Sequence, residues 1–160
     1  TVLFTRAAAH GILGRAEEQV DDHKRLVRQY PESRLIPDSY VLIGDHYAAR
    51  DDAYRSLLAY TKAGAFRDSA LYPYAVFGQG RSYAMVGEYG RAIEALQWVI
   101  EEPHDRLVEH TRIALRGAAL EVLVDTYVLS NQQDAGRAYF QTLGLSFDSA
   151  VRARADQRER

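Results

Sequence analysis

Two stretches of the sequence repeat one pattern at a fixed offset of 36 residues. Residues 30–47 read YPESRLIPDSYVLIGDHY, and residues 66–83 read FRDSALYPYAVFGQGRSY. The gap-free register pairs identical or closely similar residues, namely Tyr30 with Phe66, Ser33 with Ser69, Leu35 with Leu71, Pro37 with Pro73, Gly44 with Gly80 and Tyr47 with Tyr83. A fixed period between about 20 and 50 residues is typical of repeat proteins, in which each copy stacks on its neighbours.

A proline opens the first predicted helix of each copy. Pro37 and Pro73 each precede residues spaced three and four apart, and this spacing places side chains on one face of a helix. The two runs are Tyr40, Ile43, Gly44 and Tyr47, and Val76, Gln79, Gly80 and Tyr83. Proline is tolerated in a first turn because the N–H that it lacks has no helical partner there. Each proline is therefore predicted to lie in the first turn of a helix.

A second helix is predicted after each first one. The first helices should end near Arg50 and Val86. There Asp51 and Gly87 tolerate the left-handed conformation found at helix C-termini. The second helices carry apolar residues at helical spacing, namely Tyr54, Leu57, Leu58 and Ala63 in one copy and Tyr89, Ile93, Leu96 and Val99 in the next.

The pattern extends beyond these two copies. Shifted back by 36 residues, Phe4 takes the place of Tyr40, which indicates an earlier, weaker copy. Forwards, the register breaks in EEPHDRLVEHTR, and Tyr127 then follows Tyr83 by 44 residues, which predicts eight additional residues in the loop and lead-in of a third full copy. One all-α domain is predicted over residues 1–160, divided into a weak repeat at 1–33, repeats at 37–69, 73–103 and 108–145, and a capping helix or tail at 146–160.

Composition and charge remove several classes of function. The chain has 47% hydrophobic and 26% charged residues, which is typical of a globular protein. Its net charge of −2 supplies no overall electrostatic attraction for nucleic acid, so no nucleic-acid partner is expected. We expect no direct membrane span, because no run of about 18 apolar residues is present. The absence of cysteine excludes disulfides, thiolate metal ligands and a cysteine nucleophile.

Large and small residues recur at fixed positions of each copy. They are Tyr40, Ile43, Gly44, Tyr47, Ser56, Tyr60 and Ala63 in the first full copy, Val76, Gly80, Tyr83, Ala92, Leu96 and Val99 in the second, and Leu120, Leu123, Tyr127, Gly136, Phe140 and Leu143 in the third. This pattern resembles the tetratricopeptide repeat, from which it departs in its longer period, in Gln79 and in Val124. The resemblance implies a right-handed α-solenoid of about three to four stacked antiparallel helix pairs, TPR-like in architecture, with a concave surface.

The segment QYPESRLIPDSY gives a narrower resemblance. The YPxS sequence between units is similar to that of tetratricopeptide proteins of Gram-negative cell envelopes, which include outer-membrane assembly, cell-division and gliding-motility factors. This resemblance favours the periplasm or cell envelope over the cytoplasm.

Tetratricopeptide geometry also implies which residues line the concave face. The positions are Asp38, Val41, Asp45 and Ala48, then Tyr74, Phe77, Arg81 and Ala84, then Ala118, Glu121, Asp125 and Val128. The predicted partner-binding residues among them are Asp38, Val41, Asp45, Tyr74, Phe77, Arg81, Glu121 and Asp125. Aromatic and arginine side chains dominate binding hot spots, and an acidic margin suits a peptide or helix that carries Lys or Arg. The alternative is that Tyr74 and Phe77 only pack against the next unit.

Two motifs contain residue types that hold cofactors or metals. Gly78 and Gly80 could begin a dinucleotide fingerprint, but Tyr83 stands where the third glycine is needed and no strand precedes them. A local cluster comprises His104, Asp105, Glu109 and His110. The spacing of its histidines does not match a helical pair of ligands four residues apart, so a solvated loop is the favoured interpretation. Neither a cofactor nor a metal is predicted.

Two short runs combine carboxylates with histidine. They are Asp21, Asp22 and His23, and the pair Asp45 and His46. Neither comes with a nucleophile or a second orienting group, which an acid–base apparatus needs. Both runs are interpreted as surface charge, and no catalytic residue is predicted.

The leading hypothesis is a non-catalytic scaffold that binds a segment of another protein, within a bacterial envelope or motility complex. The alternative is a regulatory or sensor repeat domain of a larger signalling enzyme or transcription regulator. Self-association through exposed end helices is a third hypothesis, because any solenoid cut from its neighbours exposes such ends.

Overall fold

A computed structural model describes residues 2–159 of the chain. Within them the secondary structure is helical, with no strand, which confirms the predicted all-α class. The helices are α1 (Val2–Ile12), α2 (Ala16–Gln29), α3 (Ile36–Ala48), α4 (Ala53–Ala63), α5 (Tyr72–Met85), α6 (Tyr89–Glu101), α7 (Glu109–Leu129), α8 (Gln133–Thr142) and α9 (Phe147–Arg158).

Consecutive helices pack as hairpins, and the hairpins stack. The pairs are α1 with α2, α3 with α4, α5 with α6, and α7 with α8. The first helices of successive units also contact one another, so that α3, α5, α7 and α9 form one continuous layer. The weak N-terminal copy therefore folds as a complete pair, and α9 takes the position of the first helix of a further unit.

The connection between successive units contains the same short turn in both central copies. The Ser33 hydroxyl accepts a hydrogen bond from the backbone N–H of Leu35 at 3.2 Å. Ser69 accepts one from Leu71 at 3.1 Å. Each serine thus closes a short turn that leads directly into the following helix. The serine of the YPxS pattern is therefore explained by turn formation.

The predicted helix ends are confirmed. Pro37 and Pro73 lie in the first turns of α3 and α5. The chain leaves these helices through Asp51, with φ of 56°, and Gly87, with φ of 81°. Both values lie in the left-handed region that glycine and aspartate tolerate best.

Tyr60 on α4 fills the space between α3 and α5. A Cβ atom placed at Gly44 would lie 2.6 Å from the Tyr60 ring, and one at Gly78 would lie 2.5 Å from it. Both glycines are therefore needed for this close approach. At Gly80 the neighbour is Leu96 rather than an aromatic residue.

The outward face of α4 differs from the sequence expectation. Tyr54 and Leu58, predicted to belong to its apolar face, are 76% and 59% exposed. The buried face is formed by Ala53, Ser56, Ala59, Tyr60 and Ala63. Because residues two apart on a helix point about 200° away from each other, seating Tyr60 inward turns Leu58 outward.

The additional residues of the third full copy are helical rather than part of a loop. Helix α7 has 21 residues, against 13 in α3. Glu109 and His110, predicted to lie in an inserted loop, occupy the first turn of α7. No proline interrupts residues 109–129, so the helix can propagate through Gly117 at little cost per residue, which explains the extension.

Apolar side chains gather mainly around the C-terminal units. The largest buried cluster joins helices α5 to α9 and includes Leu96, Leu123, Phe140 and Phe147. Two smaller clusters lie around Tyr60 and around the contact of α2 with α3 and α4. Among residues 2–159, no helix combines the length and the apolarity required to cross a bilayer.

We predict that Gly78→Ala lowers the free energy of unfolding by about 1–3 kcal/mol, because the new methyl group would overlap a buried tyrosine ring held between two helices. Gly117→Ala, also within a helix, is the matched control, since a Cβ atom there meets no atom within 4 Å. It should stabilise the protein by up to about 1 kcal/mol through helix propensity. Chemical denaturation measures both changes, and equal effects would contradict the packing assigned to Tyr60.

Candidate partner-binding groove

The predicted groove residues lie on three neighbouring helices. Asp38, Val41 and Asp45 are on α3, while Tyr74, Phe77 and Arg81 are on α5. Glu121 and Asp125 are on α7. Because these first helices contact one another in order, their residues fall on a shared layer, and the groove is defined below as the face of this layer that carries them.

A hydrogen-bonded chain connects the first two units of the groove. The Tyr60 hydroxyl donates to Oδ1 of Asp45 at 2.6 Å. Nη2 of Arg81 donates to the same hydroxyl at 3.1 Å. Burial, followed by the charge of the Asp45 carboxylate, raises the pKa of Tyr60 far above its ordinary value, so the phenol stays protonated. Residues from α3, α4 and α5 therefore form one polar network.

Arg81 has hydrogen-bonding capacity that the fold does not use. Its guanidinium lies 5.9 Å from the centroid of the Phe77 ring, within the range of a cation–π contact. Its Nε atom is buried and has no hydrogen-bond partner. An unsatisfied buried donor costs about 1–3 kcal/mol, so the fold holds this guanidinium in place at an energetic cost.

The apolar groove residues are partly withdrawn from the surface. Val41 is 7% exposed and packs in the cluster around Tyr60. Tyr74 and Phe77 are partly buried and pack against the cluster that joins α5 to α9. Tyr74 and Phe77 therefore pack in the interior and also expose part of their surface, whereas Val41 is almost fully buried.

Glu121 and Asp125 do not form a free acidic margin. Arg154 on α9 contacts Glu121 at 3.1 Å and Asp125 at 2.6 Å. Arg158 contacts Asp125 at 3.0 Å. The hydrogen bond to Asp125 raises the pKa of Arg154, so this cation remains charged. The third unit thus already binds guanidinium groups, which belong to its own chain.

Sequence reasoning missed this role of the C-terminal helix. The signal was the spacing of four between Arg154 and Arg158, which places two cations on one helical face. The sequence did not indicate which carboxylates these two arginines would contact.

Asp38 lies apart from the network, at one end of the groove. It lines a cavity of about 790 Å³ together with Arg34 and Arg67. The cavity is open between the loop before α3 and the loop before α5. Asp38 therefore shares this open cavity with two basic side chains.

The interpretation of Asp22 and His23 as surface charge is wrong. They are 4% and 1% exposed, because they lie on the face of α2 that packs against α1 and α3. Arg6 donates to both carboxylate oxygens of Asp22, at 2.6 Å and 2.5 Å. These bonds lower the pKa of Asp22. Nδ1 of His23 lies 3.2 Å from the hydroxyl of Ser39. The run is a structural ion pair beside a buried imidazole.

The other histidines named by the sequence also have structural surroundings. The His46 side chain is largely buried and lies 3.6 Å from Glu17. His104 meets the carbonyl of Val99 at 2.8 Å and packs against the Trp98 ring. Within residues 2–159, no group of three or more His, Asp or Glu side chains is arranged to hold a metal ion.

In comparisons with known proteins, no family model matches the chain, and no curated protein matches it. A functional proposal therefore depends on the geometry of this chain. Its most specific feature is the network of Asp45, Tyr60 and Arg81.

We predict that stability falls in mild acid because of His23. Burial lowers the pKa of its imidazole, so the folded protein holds it neutral, whereas in the unfolded chain it titrates near about 6.5. Its contribution is fully present above that pH and is lost as the pH falls toward the lower folded value. The free energy of unfolding measured at several pH values between about 7.5 and 5.5 should therefore decrease.

His23→Gln should lose less stability than the wild type over that pH range. Burial also lowers the pKa of His46, so His46→Gln should flatten the profile in the same way. His110→Gln is the matched control at an exposed position. Parallel profiles for the wild type and His23→Gln would refute the assignment.

We predict that Arg154→Gln loosens α9, because it removes the contacts to Glu121 and Asp125. Amide hydrogen exchange in 147–158 should become faster, while exchange in α3 to α6 stays unchanged. Arg152→Gln on the same helix is the control, since its observed bond is to Ser149 of α9 itself. Similar exchange in both variants would count against docking through Arg154.

Proposed function

We propose that this chain is a non-catalytic protein-interaction scaffold of the tetratricopeptide type, which binds a segment of a partner protein in the groove. The observation that carries the proposal is the guanidinium of Arg81. It is held by Phe77 and Tyr60, yet its buried Nε lacks an acceptor. A preorganised and incompletely satisfied arginine beside an aromatic ring has the properties of a binding hot spot.

The bound segment would present two kinds of group. A carbonyl or carboxylate oxygen would accept from Arg81, and a Lys or Arg would approach the exposed carboxylate of Asp45. The contacts of Arg154 with Glu121 and Asp125 support the second part, because they show how a helix with spaced arginines fits acidic residues of this layer.

The proposed setting is a multiprotein complex of the bacterial envelope or of motility. Its support is the YPxS punctuation and its likeness to envelope tetratricopeptide proteins. The hydrogen bonds of Ser33 and Ser69 explain the serine of this pattern by turn formation, which does not depend on the cellular compartment. The compartment therefore depends on the resemblance alone.

We predict that the double variant Asp45→Asn, Arg81→Gln loses partner capture without losing its fold. Asparagine still accepts from Tyr60, and glutamine removes the cation with a similar polar shape, so the melting temperature should change little. Removing a hot-spot arginine typically costs about 2 kcal/mol or more, so retention of partners on the immobilised chain should fall about thirtyfold. Capture from a native lysate, quantified by mass spectrometry, measures this.

The control is Glu88→Gln, Arg91→Gln, which also removes one acid and one base but lies outside the groove. It should retain the same partners as the wild type. If the groove variant and the control both retained every partner, the groove would not be the binding surface.

A further inference from the structure

A second pocket lies on the opposite face of α3 from the groove. It has a volume of about 400 Å³, is open to solvent and is lined by residues of α2, α3 and α4. We refer to it as the outer pocket. Its lining residues are Lys24, Val27, Arg28, Tyr40, Ile43, Tyr47, Arg55, Leu58, Ala59 and Lys62. Helical periodicity separates it from the groove, because Tyr40, Ile43 and Tyr47 project away from the side of Asp38 and Asp45.

Four cations surround an aromatic floor. Lys24 and Arg55 each lie 5.4 Å from the centroid of Tyr47. Lys62 lies 5.5 Å from the centroid of Tyr40. Arg28 is the fourth cation of the lining, and no acidic residue contributes to it. The pocket therefore combines positive charge with apolar surface.

Two of these cations form ion pairs with nearby carboxylates, and both pairs are weak. Asp21 lies 3.5 Å from Lys24, and Asp52 lies 3.4 Å from Arg55. Each is a pair three residues apart on or beside one helix, and such exposed pairs contribute little. The positive charge thus remains available to a ligand.

The next unit provides an internal comparison. One period later, Leu58 is replaced by Glu94 and Lys62 by Trp98. Both of these residues line a different, neighbouring pocket of about 470 Å³. The stacking of arginine on tyrosine is kept, since Arg91 lies 5.6 Å from the centroid of Tyr83. The repeat scaffold therefore does not require Leu58 or Lys62, whose side chains make the outer pocket basic and apolar.

The exposure of Leu58 also indicates that packing of the repeat does not require this side chain. It is 59% exposed at the mouth of the pocket, with Tyr54 76% exposed on the same helix. Both lysines of the chain, Lys24 and Lys62, lie at this one site.

We propose that the outer pocket binds an acidic segment of a partner protein, which inserts one bulky apolar side chain over Tyr40, Tyr47 and Leu58 and directs carboxylates to the surrounding cations. Arg55 and Lys62 are seven residues apart on α4, which separates them by about 10 Å along the helix. At least two carboxylates at such a distance are needed to meet both, and a peptide with several Asp or Glu residues supplies them. This function is separate from the groove and does not depend on it.

The test uses a fluorescent, capped hexapeptide in which Leu and Phe are flanked on each side by two Glu. Fluorescence anisotropy should show saturable binding to the wild-type chain. Binding should weaken several-fold when NaCl is raised from about 0.05 M to about 0.5 M, because salt screens exposed charges. The same peptide with Gln in place of Glu should bind at least about ten times more weakly.

The decisive variant carries Leu58→Glu and Lys62→Trp, the residues that occupy the same positions in the next unit. It should bind the acidic peptide at least about ten times more weakly, since it adds repulsion and removes a cation. Leu58→Gln alone keeps the pocket uncharged at that position and guards against a folding defect in the first variant. Glu94→Gln in the neighbouring pocket is the matched control and should leave affinity unchanged.

Lysine labelling provides an independent measurement. An amine-reactive ester modifies Lys24, Lys62 and the terminal amine, and peptide mapping resolves them. Saturating acidic peptide should slow modification of both lysines at least about threefold, by burial beneath the ligand. Absent binding, equal binding of the Gln peptide, undiminished binding by the double variant or unprotected lysines would each overturn the proposal. Dimerisation of the wild type that the double variant abolishes, without peptide binding, would overturn it in favour of a second copy as the occupant.

Discussion

The seating of Tyr60 between two helix backbones is the constraint on which the N-terminal half of the structure depends. Its ring lies against Gly44 and Gly78, and this close approach packs α4 tightly against α3 and α5. Its hydroxyl then joins Asp45 to Arg81. One side chain therefore sets both the helix spacing and the polar network of the groove. Its inward orientation also turns Leu58 outward, which supplies the mouth of the outer pocket.

Some arginines and carboxylates of this chain form close ion pairs with each other, whereas other cations do not. Asp22 is held by Arg6, and Asp125 is held by Arg154 and Arg158. Burying or half-burying a charge is tolerable only with such a partner. Arg81 and the cations of the outer pocket lack comparable carboxylate partners, and both proposed binding sites are built on them. The groove and the outer pocket lie on opposite faces of α3.

Much of the fold followed from residues with strong local preferences. Pro37, Pro73, Asp51 and Gly87 act through backbone dihedral angles. The turn-forming serines Ser33 and Ser69 act over two residues, so all these effects could be predicted from local sequence. Which face of α4 is buried could not be predicted from local sequence, because Tyr54 and Leu58 have the same apolar character and spacing as buried residues. The burial of Asp22 likewise required Arg6 on a different helix. For the groove, the sequence supplied Asp45 and Arg81 as candidates but gave no sign that Tyr60 would connect them.

The sequence by itself determined the all-helical class, the repeat register and the starts and ends of the central helices, because periodicity, proline, glycine and turn-forming residues act over a few positions. Only the tertiary structure decided which charges remain free. Whether Glu121 faces a partner or Arg154 depends on how α9 docks, and whether Lys62 joins Lys24 depends on how α4 stacks beside α2. Electrostatic pairing depends on distances between residues far apart in the chain, and only packing sets those distances.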